Sequence, residues 1–437
     1  MKYTKRFLKQ VMDKIKKIIR RSIKHDLISG SFFVLIGTTA SSFLAFILNV
    51  YFARSLSYSD YGTFASLMSL ITLVTIPASS LSSVIVRYAA QFFSKNENER
   101  AGAFYIKAFK YILIFSAVLN IGIVLVSGLI MSFLRIDEIG LVIMVGFSIA
   151  IFYIATLNMA FVQSMLRFKL LGILYLLGGI GKLAFGVLFI VLGFKVFGAL
   201  GAVIISSIIG FMISLVVLRK VIRGASKKVN IGRSDIALYA VPTSIAIFSL
   251  SSFISTDVLI VKHFFNSHDA GFYGGLSLIG KVIFYFTGPI PIAMFPLIVK
   301  RHTNKENYNN LFYIALALVL VPSIFMTGFY FLFSNFTVSL FLGGGDYLMI
   351  APYLGLFGIF LTIYSVNNVF ISFFLSIKKT KVFLITLLFA FVQIILMWIF
   401  HSTFSQIIYV SIFSSVLLMI SLVLYYLKIN EFKFSLK

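Results

Sequence analysis

Asp60-Tyr61-Gly62-Thr63-Phe64 and Asp269-Ala270-Gly271-Phe272-Tyr273 are two copies of one short pattern, Asp-x-Gly-x-aromatic, placed 209 residues apart in a chain of 437. Each copy stands between two long apolar runs. The run that follows ends in Val84-Ile85-Val86-Arg87 in the first copy and in Leu297-Ile298-Val299-Lys300 in the second. A repeated corner with repeated surroundings predicts two copies of one membrane unit, which is the usual construction of a transporter.

The composition places the chain in the membrane. It is 60% hydrophobic and 12% charged, with a mean hydropathy of +1.03, whereas soluble domains are about 45–50% apolar. A water-soluble fold is therefore excluded. The chain has no cysteine, and its five histidines show no metal-ligand spacing, so we expect no metal site and no cofactor.

Twelve stretches are long enough to cross a bilayer, which takes roughly 20 apolar residues. They are continuous apolar runs, which predicts helices instead of the alternating strands of a barrel. Six fall in each half of the chain, so we predict an all-α polytopic membrane protein with two six-helix lobes. The stretches lie near residues 30–53, 62–86, 111–133, 140–162, 171–193, 198–218, 236–261, 271–298, 311–334, 349–375, 382–401 and 404–427.

The distribution of Lys and Arg predicts the orientation. With a cytoplasmic N-terminus, 32 of the 38 basic residues fall on the cytoplasmic side and four on the other, namely Arg54, Arg135, Lys195 and Lys262. Basic residues favour the cytoplasmic side of a membrane protein. We therefore predict cytoplasmic N- and C-termini. The net charge of +25 is then explained by the cytoplasmic face of the protein. We expect anionic membrane lipid, and not nucleic acid, as its partner.

The expected domains follow from these spans. Residues 1–25 have apolar side chains at three- and four-residue steps and Lys or Arg between them, which predicts a basic amphipathic helix on the inner surface. Residues 26–220 form the first lobe, 221–235 a cytoplasmic linker, and 236–437 the second lobe with a short basic tail. Six helices precede the second copy, so a pseudo-twofold axis along the membrane normal relates the lobes, and a cavity forms between them.

Two lysines lie inside predicted spans, Lys182 in the fifth and Lys281 in the eighth. A charge at this depth costs about 2.5–3.5 kcal/mol and is tolerated where it faces a partner or a wet cavity. Each is a candidate for the substrate path; for Lys182 the alternative is a structural bond to a backbone carbonyl or a polar partner. The eighth span also contains Gly288-Pro289-Ile290-Pro291, whose prolines should break the helix; the break is either a moving element or a static kink. Pro77 is expected to bend the second span.

Other charges near the membrane are weaker candidates. Asp257 is the one acidic residue in a predicted span, and it is either an ion relay, a partner of a lysine or a polar cap. Arg54 and Lys262 end the first helix of each lobe and could contact substrate or anchor the helix at the interface. Arg87 and Lys300, at the inner end of the second helix of each lobe, could contact substrate on entry, with anchoring at the interface as the alternative.

The repeated turn itself has a structural explanation. Asp60 and Asp269 are expected to cap the following helices, because Asp accepts hydrogen bonds from free backbone amides at a helix start. Gly62 and Gly271 would serve close packing or the turn.

This layout resembles a known family. Twelve spans in two lobes, a basic N-terminus, the Asp-x-Gly turn after the first helix of each lobe and Ser255-Thr256-Asp257 in the seventh helix are similar to polysaccharide flippases of the Wzx type, in the multidrug/oligosaccharidyl-lipid/polysaccharide (MOP) exporter superfamily. The resemblance implies movement of an undecaprenyl-diphosphate-linked oligosaccharide for O-antigen, capsule or exopolysaccharide from the inner to the outer leaflet of the bacterial cytoplasmic (inner) membrane by alternating access. Arg87 and Lys300 could then meet the diphosphate on entry. The resemblance also implies a polysaccharide polymerase and a chain-length regulator as partners.

Three alternatives remain open. Ion-coupled multidrug antiporters of the MATE branch share the architecture, but they need acidic groups in the membrane and this chain offers Asp257 alone. Lipid II flippases carry two further helices that the sequence does not contain. A membrane polymerase or glycosyltransferase usually has a large outer loop with carboxylates, whereas the longest one here, near 334–348, has only Asp346. No catalytic constellation is evident, so we do not expect an enzyme.

Overall fold

The computed structural model describes residues 26–225 and 234–434, and in these residues every regular element is helical. This confirms the predicted all-α class. The predicted amphipathic helix at residues 1–25 and most of the predicted linker, residues 226–233, lie outside the described residues. The helices are numbered here in chain order.

The first half of the chain forms seven helices. Most are rich in Leu, Ile, Val and Phe around their whole circumference, as expected for helices surrounded by lipid and protein. Their bounds are α1 Asp26–Ser55, α2 Tyr58–Ser94, α3 Asn98–Leu125, α4 Ser127–Leu134, α5 Ile139–Ser164, α6 Phe168–Val191 and α7 Lys195–Arg223.

The second half forms ten α-helices and one 3₁₀ helix, because several of its spans are broken into pieces. The bounds are α8 Ser234–Ser252, α9 Thr256–Phe264, α10 Ser267–Gly280, α11 Val282–Thr287, α12 Pro289–Thr303, α13 Asn309–Leu332, α14 Ser334–Leu342, the 3₁₀ helix Gly345–Ile350, α15 Ala351–Ser376, α16 Val382–Ile399 and α17 Phe404–Phe434.

Eleven helical segments among the described residues are long and apolar enough to cross a membrane, and a bent pair would make a twelfth. That pair is α8 and α9, which meet at 46°. The count agrees with the twelve predicted spans when the pair is one span. The bend in the seventh span was not predicted. It lies at a serine-rich stretch, Ser249, Ser251, Ser252 and Ser255. The Ser249 hydroxyl donates to the Ile245 carbonyl, 2.7 Å, and such bonds to the backbone favour local distortion of a helix.

Glycines hold the first lobe together. α1 packs along α6, and a Cβ on Gly179 would lie 2.9 Å from the Cα of Ser41, while one on Gly186 would lie 2.5 Å from Leu48. Gly37 and Gly172 approach each other's backbone in the same way. Small residues let membrane helices pack closely, so these glycines account for the close approach of α1 and α6 on either side of Lys182.

The second lobe packs around α15, its most buried helix. Phe357, Phe360 and Tyr364 of α15 have 2% or less of their surface exposed. Gly280 makes room for Phe357, and Gly355 of α15 makes room for Phe331. Large rings seated against glycines give this lobe a tightly interlocked core, in line with the close packing of protein interiors.

The two lobes meet chiefly along α2, which packs against α8, α9 and α10. α11 and α12, by contrast, make their main contacts with helices of their own lobe, α13 and α15. Much of the outer surface is apolar; Val118 of α3 and Phe325 of α13 are 63% and 74% exposed. In a soluble protein such surfaces would promote aggregation, whereas here they suit contact with lipid.

Candidate translocation site

The two repeated turns have the same capping geometry. Ser57 is the N-cap of α2 and accepts a hydrogen bond from the Asp60 amide, 3.1 Å, while its hydroxyl donates to the Asp60 carboxylate, 2.8 Å. Asn266 does the same at α10, accepting from the Asp269 amide and donating to its carboxylate, both at 2.7 Å. The cap residues are therefore Ser57 and Asn266, and the expectation that Asp60 and Asp269 accept the amide hydrogen bonds was wrong; the two carboxylates instead fix the cap side chains.

The two copies of the turn pack on each other. A Cβ on Gly62 would lie 2.6 Å from the backbone nitrogen of Gly271, and a Cβ on Gly271 would collide with the Tyr58 carbonyl. Only glycine allows two helix starts to come this close. The prediction that these glycines serve close packing is confirmed, and the structure adds that the packing joins the two lobes.

Hydrogen bonds between the lobes surround this crossing, at the end of the bundle that we call the motif face because it carries the turns Ser57–Gly62 and Asn266–Gly271. Lys262 donates to the Thr63 hydroxyl, 3.0 Å. The Tyr347 hydroxyl donates to the Ala53 carbonyl, 3.1 Å. Rings also meet here: Tyr58 of the first lobe lies edge-on to His268 of the second, with centroids 4.7 Å apart. The lobes are thus closed together at the motif face.

Two further contacts between the lobes, those of Arg54 and His263, lie at positions related by the repeat. Arg54 at the end of α1 donates through Nε to the Phe341 carbonyl of α14, 2.9 Å, and through Nη2 to the Leu340 carbonyl. His263, 209 residues after Arg54, places Nδ1 2.7 Å from the Phe133 carbonyl of α4. Each bond joins the first helix of one lobe to the short helix of the other. The repeat offset of 209 residues, applied to Arg54, identifies His263, which the charge pattern of the spans did not predict.

Lys262 does not occupy the position equivalent to Arg54, although the sequence analysis paired them. Its side chain is 1% exposed and also donates to the Ser267 hydroxyl, 3.3 Å. The interfacial-anchor alternative for Lys262 is therefore wrong, because an anchor must reach the membrane surface. Arg54 is exposed, but its guanidinium is engaged with the other lobe. Contact of either residue with substrate stays a prediction.

Lys182 lies near the middle of α6 and is partly exposed. Its ammonium group has no hydrogen bond or ion pair with the described residues. The structural bond that was its alternative role is therefore not formed to any described residue. An ammonium group at this depth needs water, an anion or a protein acceptor, so Lys182 is available to a ligand.

Lys281 lies at a break in the eighth span, between α10 and α11, and is also partly exposed. It too has no hydrogen bond or ion pair among the described residues. The span breaks again at Gly288, between Thr287 and Pro289, as the prolines predicted. The eighth span is thus three helical pieces with a lysine at the first joint.

Asp257 is fully buried in the first turn of α9, just after the bend in the seventh span. One carboxylate oxygen accepts from the Tyr273 hydroxyl, 3.1 Å, and the other has no partner. Lys281 is close enough for its charge to act on the carboxylate, but the two do not form an ion pair in direct contact. Asp257, Tyr273 and Lys281 are therefore one polar cluster at the joints of the seventh and eighth spans.

The remaining predicted residues are spread along the helices. Arg87 is exposed near the end of α2. Lys300 lies in the last part of α12, and its side chain is outside the described residues. α2 continues past Pro77 without a break, and Pro291 is buried in the first turn of α12. Within the described ranges no group of three or more His, Asp or Glu residues could hold a metal ion.

Solved structures with the same architecture define the class of the protein. An inward-facing multidrug resistance MATE family transporter of the MOP superfamily gives a TM-score of 0.71 at 14% identity, over 90% of this chain and 96% of that one. The outward-facing conformation of a MATE family transporter gives 0.67 at 14% identity, over 93% and 96%. The lipid II flippase MurJ in an inward closed conformation gives 0.66 at 16% identity, over 89% and 86%. The protein has the MOP transporter fold.

The family follows from the sequence. Residues 51–352 match the family described as polysaccharide biosynthesis protein, and this is more than half of the chain. The protein belongs to that family, which confirms the resemblance inferred from the turns and the spans. No match was found among curated protein sequences. The protein is therefore a multi-pass membrane protein related to polysaccharide synthesis, with a transporter and flippase fold.

Proposed function

We propose that the protein is a flippase that moves undecaprenyl-diphosphate-linked oligosaccharide from the inner to the outer leaflet of the bacterial cytoplasmic membrane. The polysaccharide biosynthesis family and the MOP fold support this class of activity. The observation that carries the choice of cargo is the pair of unpartnered lysines at mid-span, Lys182 in the first lobe and Lys281 in the second.

The charge balance inside the spans favours an anion. An ammonium group in the membrane interior without a protein partner is costly, and a diphosphate would supply both the missing charge and the missing hydrogen-bond acceptors. Asp257 is the one carboxylate in the interior of the described spans, and it already accepts from Tyr273. A cationic drug would meet two like charges and a single carboxylate, one oxygen of which already accepts from Tyr273. The arrangement therefore suits a lipid diphosphate better than the cationic substrates of a multidrug antiporter.

The closed motif face supports alternating access. We take the motif face to be the outer one, as the distribution of Lys and Arg predicts. The lobes are bonded there through Arg54, Lys262 and His263, whereas α11 and α12 pack mainly on their own lobe toward the opposite end. A cargo headgroup would enter from the inner side, bind between the lysines and leave after the bonds at the motif face separate.

The mechanism uses the lysines as electrostatic contacts, with no chemical step. Binding a dianion between two lobes lowers the cost of bringing their two ammonium groups toward each other, because opposite charges attract strongly where water is scarce. Occupancy would thus favour closure around the headgroup. The lipid chain, which has no polar group, can stay in the bilayer during this movement.

The test is to delete the gene in its host and analyse the extracted lipid-linked sugars by mass spectrometry. We expect undecaprenyl-diphosphate oligosaccharides to accumulate while a surface polysaccharide is lost. Wild-type protein should restore export, and Lys182→Gln or Lys281→Gln should not, at equal membrane abundance; Lys110→Gln, which removes an exposed lysine, is the matched control. Normal surface polysaccharide with a loss of drug resistance would contradict the proposal and favour a multidrug antiporter.

A further inference from the structure

Two buried tyrosines have no hydrogen-bond partner among the described residues. Tyr61 of α2 and Tyr364 of α15 are each 2% exposed, yet neither hydroxyl bonds another part of the described chain. Their oxygen atoms are not sealed inside the protein either, so each reaches open space. A buried tyrosine hydroxyl usually has a partner. In the described chain the other five tyrosines with 4% exposure or less all donate to the protein, namely Tyr105, Tyr153, Tyr273, Tyr330 and Tyr347.

These two tyrosines meet the eighth span on either side of its first break. A Cβ on Gly274 of α10 would lie 3.3 Å from the Tyr61 ring. Tyr364 packs edge-on against Phe284 of α11, with ring centroids 5.2 Å apart. Lys281 separates α10 from α11. A tyrosine of the first lobe and a tyrosine of the second therefore stand before and after the lysine.

Tyr285 of α11 connects the two tyrosines to the lysine. Its amide donates to the Lys281 carbonyl, 2.9 Å, so the side chains of Lys281 and Tyr285 are one helical turn apart on the same face of the span. Tyr285 is within electrostatic range of Tyr61 and Tyr364. It is 49% exposed, and its hydroxyl has no hydrogen bond to a described residue. Because buried side chains of both lobes lie near it, its exposed part faces the space between the lobes and not the lipid.

Three free phenol groups beside one lysine suit a carbohydrate. Sugar hydroxyls both donate and accept hydrogen bonds, and so does the hydroxyl of tyrosine. The rings add apolar surface for the C–H groups of a sugar. A hydrocarbon chain would leave all three hydroxyls without a partner, which is costly away from water. A second phosphate would need further cations, and Lys281 is the one cation in this group.

We propose that Tyr61, Tyr285 and Tyr364 form a carbohydrate subsite that holds the first sugar of the cargo while Lys281 holds the diphosphate. The inference rests on the proposed flippase function and adds the residues that distinguish a sugar-bearing lipid from a bare lipid diphosphate. The first sugar lies next to the diphosphate, as Tyr285 lies next to Lys281. Tyr61 belongs to the repeated turn, so the subsite is beneath the closed motif face, and a sugar bonded to both Tyr61 and Tyr285 links the two lobes.

The test compares two lipids that differ only in the sugar. Purified full-length protein in detergent is titrated with a polyprenyl diphosphate and with the same lipid carrying a disaccharide, and bound lipid is measured by native mass spectrometry. We expect Tyr285→Phe to weaken binding of the disaccharide lipid about fivefold, as the loss of one hydrogen bond implies, and to change binding of the bare lipid less than about twofold. Tyr61→Phe and Tyr364→Phe should act in the same way, whereas Lys281→Gln should weaken binding of both lipids.

Two controls separate ligand contact from an effect on folding. The Tyr330 hydroxyl donates to the Ile279 carbonyl, 2.8 Å, so Tyr330→Phe should lower the thermal stability of the lipid-free protein. Tyr61→Phe and Tyr364→Phe should not lower it, because their hydroxyls bond no described residue. Tyr111→Phe changes a tyrosine of α3 that is 55% exposed, and it should leave binding of both lipids unchanged.

The outcomes separate the subsite from the flippase function. Equal weakening of both lipids by the three tyrosine variants would overturn the subsite, since the sugar would not be what these residues contact. Unchanged binding of the disaccharide lipid would overturn it as well, and a loss with Lys281→Gln in the same experiment would leave the flippase in place. A wild-type protein that binds neither lipid would overturn both proposals.

Discussion

The second span of each lobe begins with the same Asp-x-Gly turn and then develops differently. In the first lobe it is one helix, Tyr58–Ser94, which continues past Pro77. In the second lobe it is broken twice, at Lys281 and at Gly288, into α10, α11 and α12. The preceding span of that lobe bends by 46° as well. The two lobes share the corner where they meet, whereas only the second lobe has breaks in these two spans.

Charged residues lie at the breaks in the seventh and eighth spans. Asp257 follows the bend of the seventh span, and Lys281 lies at the first break of the eighth. Broken helices in membrane proteins expose backbone groups where they line a cavity, and they allow movement between rigid pieces. The difference between the lobes suggests a rigid first lobe and a second lobe that responds to the cargo.

The largest expected effect concerns the feature that the two copies share. Gly62→Leu and Gly271→Leu should each abolish transport, because any side chain there meets the backbone of the other lobe and the motif face could not close. Transport of lipid-linked sugar in membrane vesicles measures this. Gly128→Leu, where nothing lies within 4 Å of an added Cβ, is the control. Activity near wild type in either variant would show that the crossing is not required.

A reversible lock tests the same contact. The natural chain has no cysteine, so Tyr58→Cys with His268→Cys introduces one defined pair across the lobes. We expect oxidation, or a short bis-thiosulfonate reagent, to link the pair and stop transport, and a reductant to restore it. Each single variant is the control. A linked protein that still transports would contradict closure and opening of the motif face.

The next effect concerns the charged joint. Lys281→Gln should reduce transport about tenfold or more, given the cost of handling charge in the membrane interior. It should also lower stability, because Asp257 would lose the cation that acts on it. Asp257→Asn combined with Lys281→Gln should recover thermal stability in detergent without recovering transport. Independent, additive effects on stability would show that the two side chains do not interact.

A smaller effect separates the broken span from the continuous one. Pro289→Ala with Pro291→Ala should restore backbone donors, stiffen the eighth span and slow transport about fivefold. Pro77→Ala in the continuous α2 should change the rate by less than about twofold. Both are measured in the vesicle assay at equal abundance. A larger loss from Pro77→Ala than from the double variant would reverse the assignment of the mobile lobe.

Sequence reasoning found the features that depend on local pattern. The length of the apolar runs predicted the spans. The repeated turn predicted the duplication and the close packing at Gly62 and Gly271, and the prolines predicted the break at Gly288. It missed the bend in the seventh span, since serine is a mild helix breaker whose effect depends on its neighbours.

The contacts between the lobes could not be predicted from a local sequence pattern, because their partners are far apart in the chain. The bond from His263 to Phe133 joins residues 130 positions apart, and the histidine stands beside a lysine that is more conspicuous in a membrane sequence. Such contacts become visible only when the repeat is placed in three dimensions.

The central claim is that the protein moves a lipid-linked diphosphate across the bilayer by means of Lys182 and Lys281. The most direct measurement reconstitutes the purified protein in liposomes that contain a polyprenyl-diphosphate-linked disaccharide and follows exposure of the sugar to a membrane-impermeant glycosidase. The sugar on the inner leaflet of the liposomes is protected from the enzyme until it is moved outward. We predict that this protected sugar is cleaved rapidly with wild-type protein, and slowly with the variant carrying both Lys182→Gln and Lys281→Gln. Equal rates for wild-type protein, the double variant and protein-free liposomes would contradict the account.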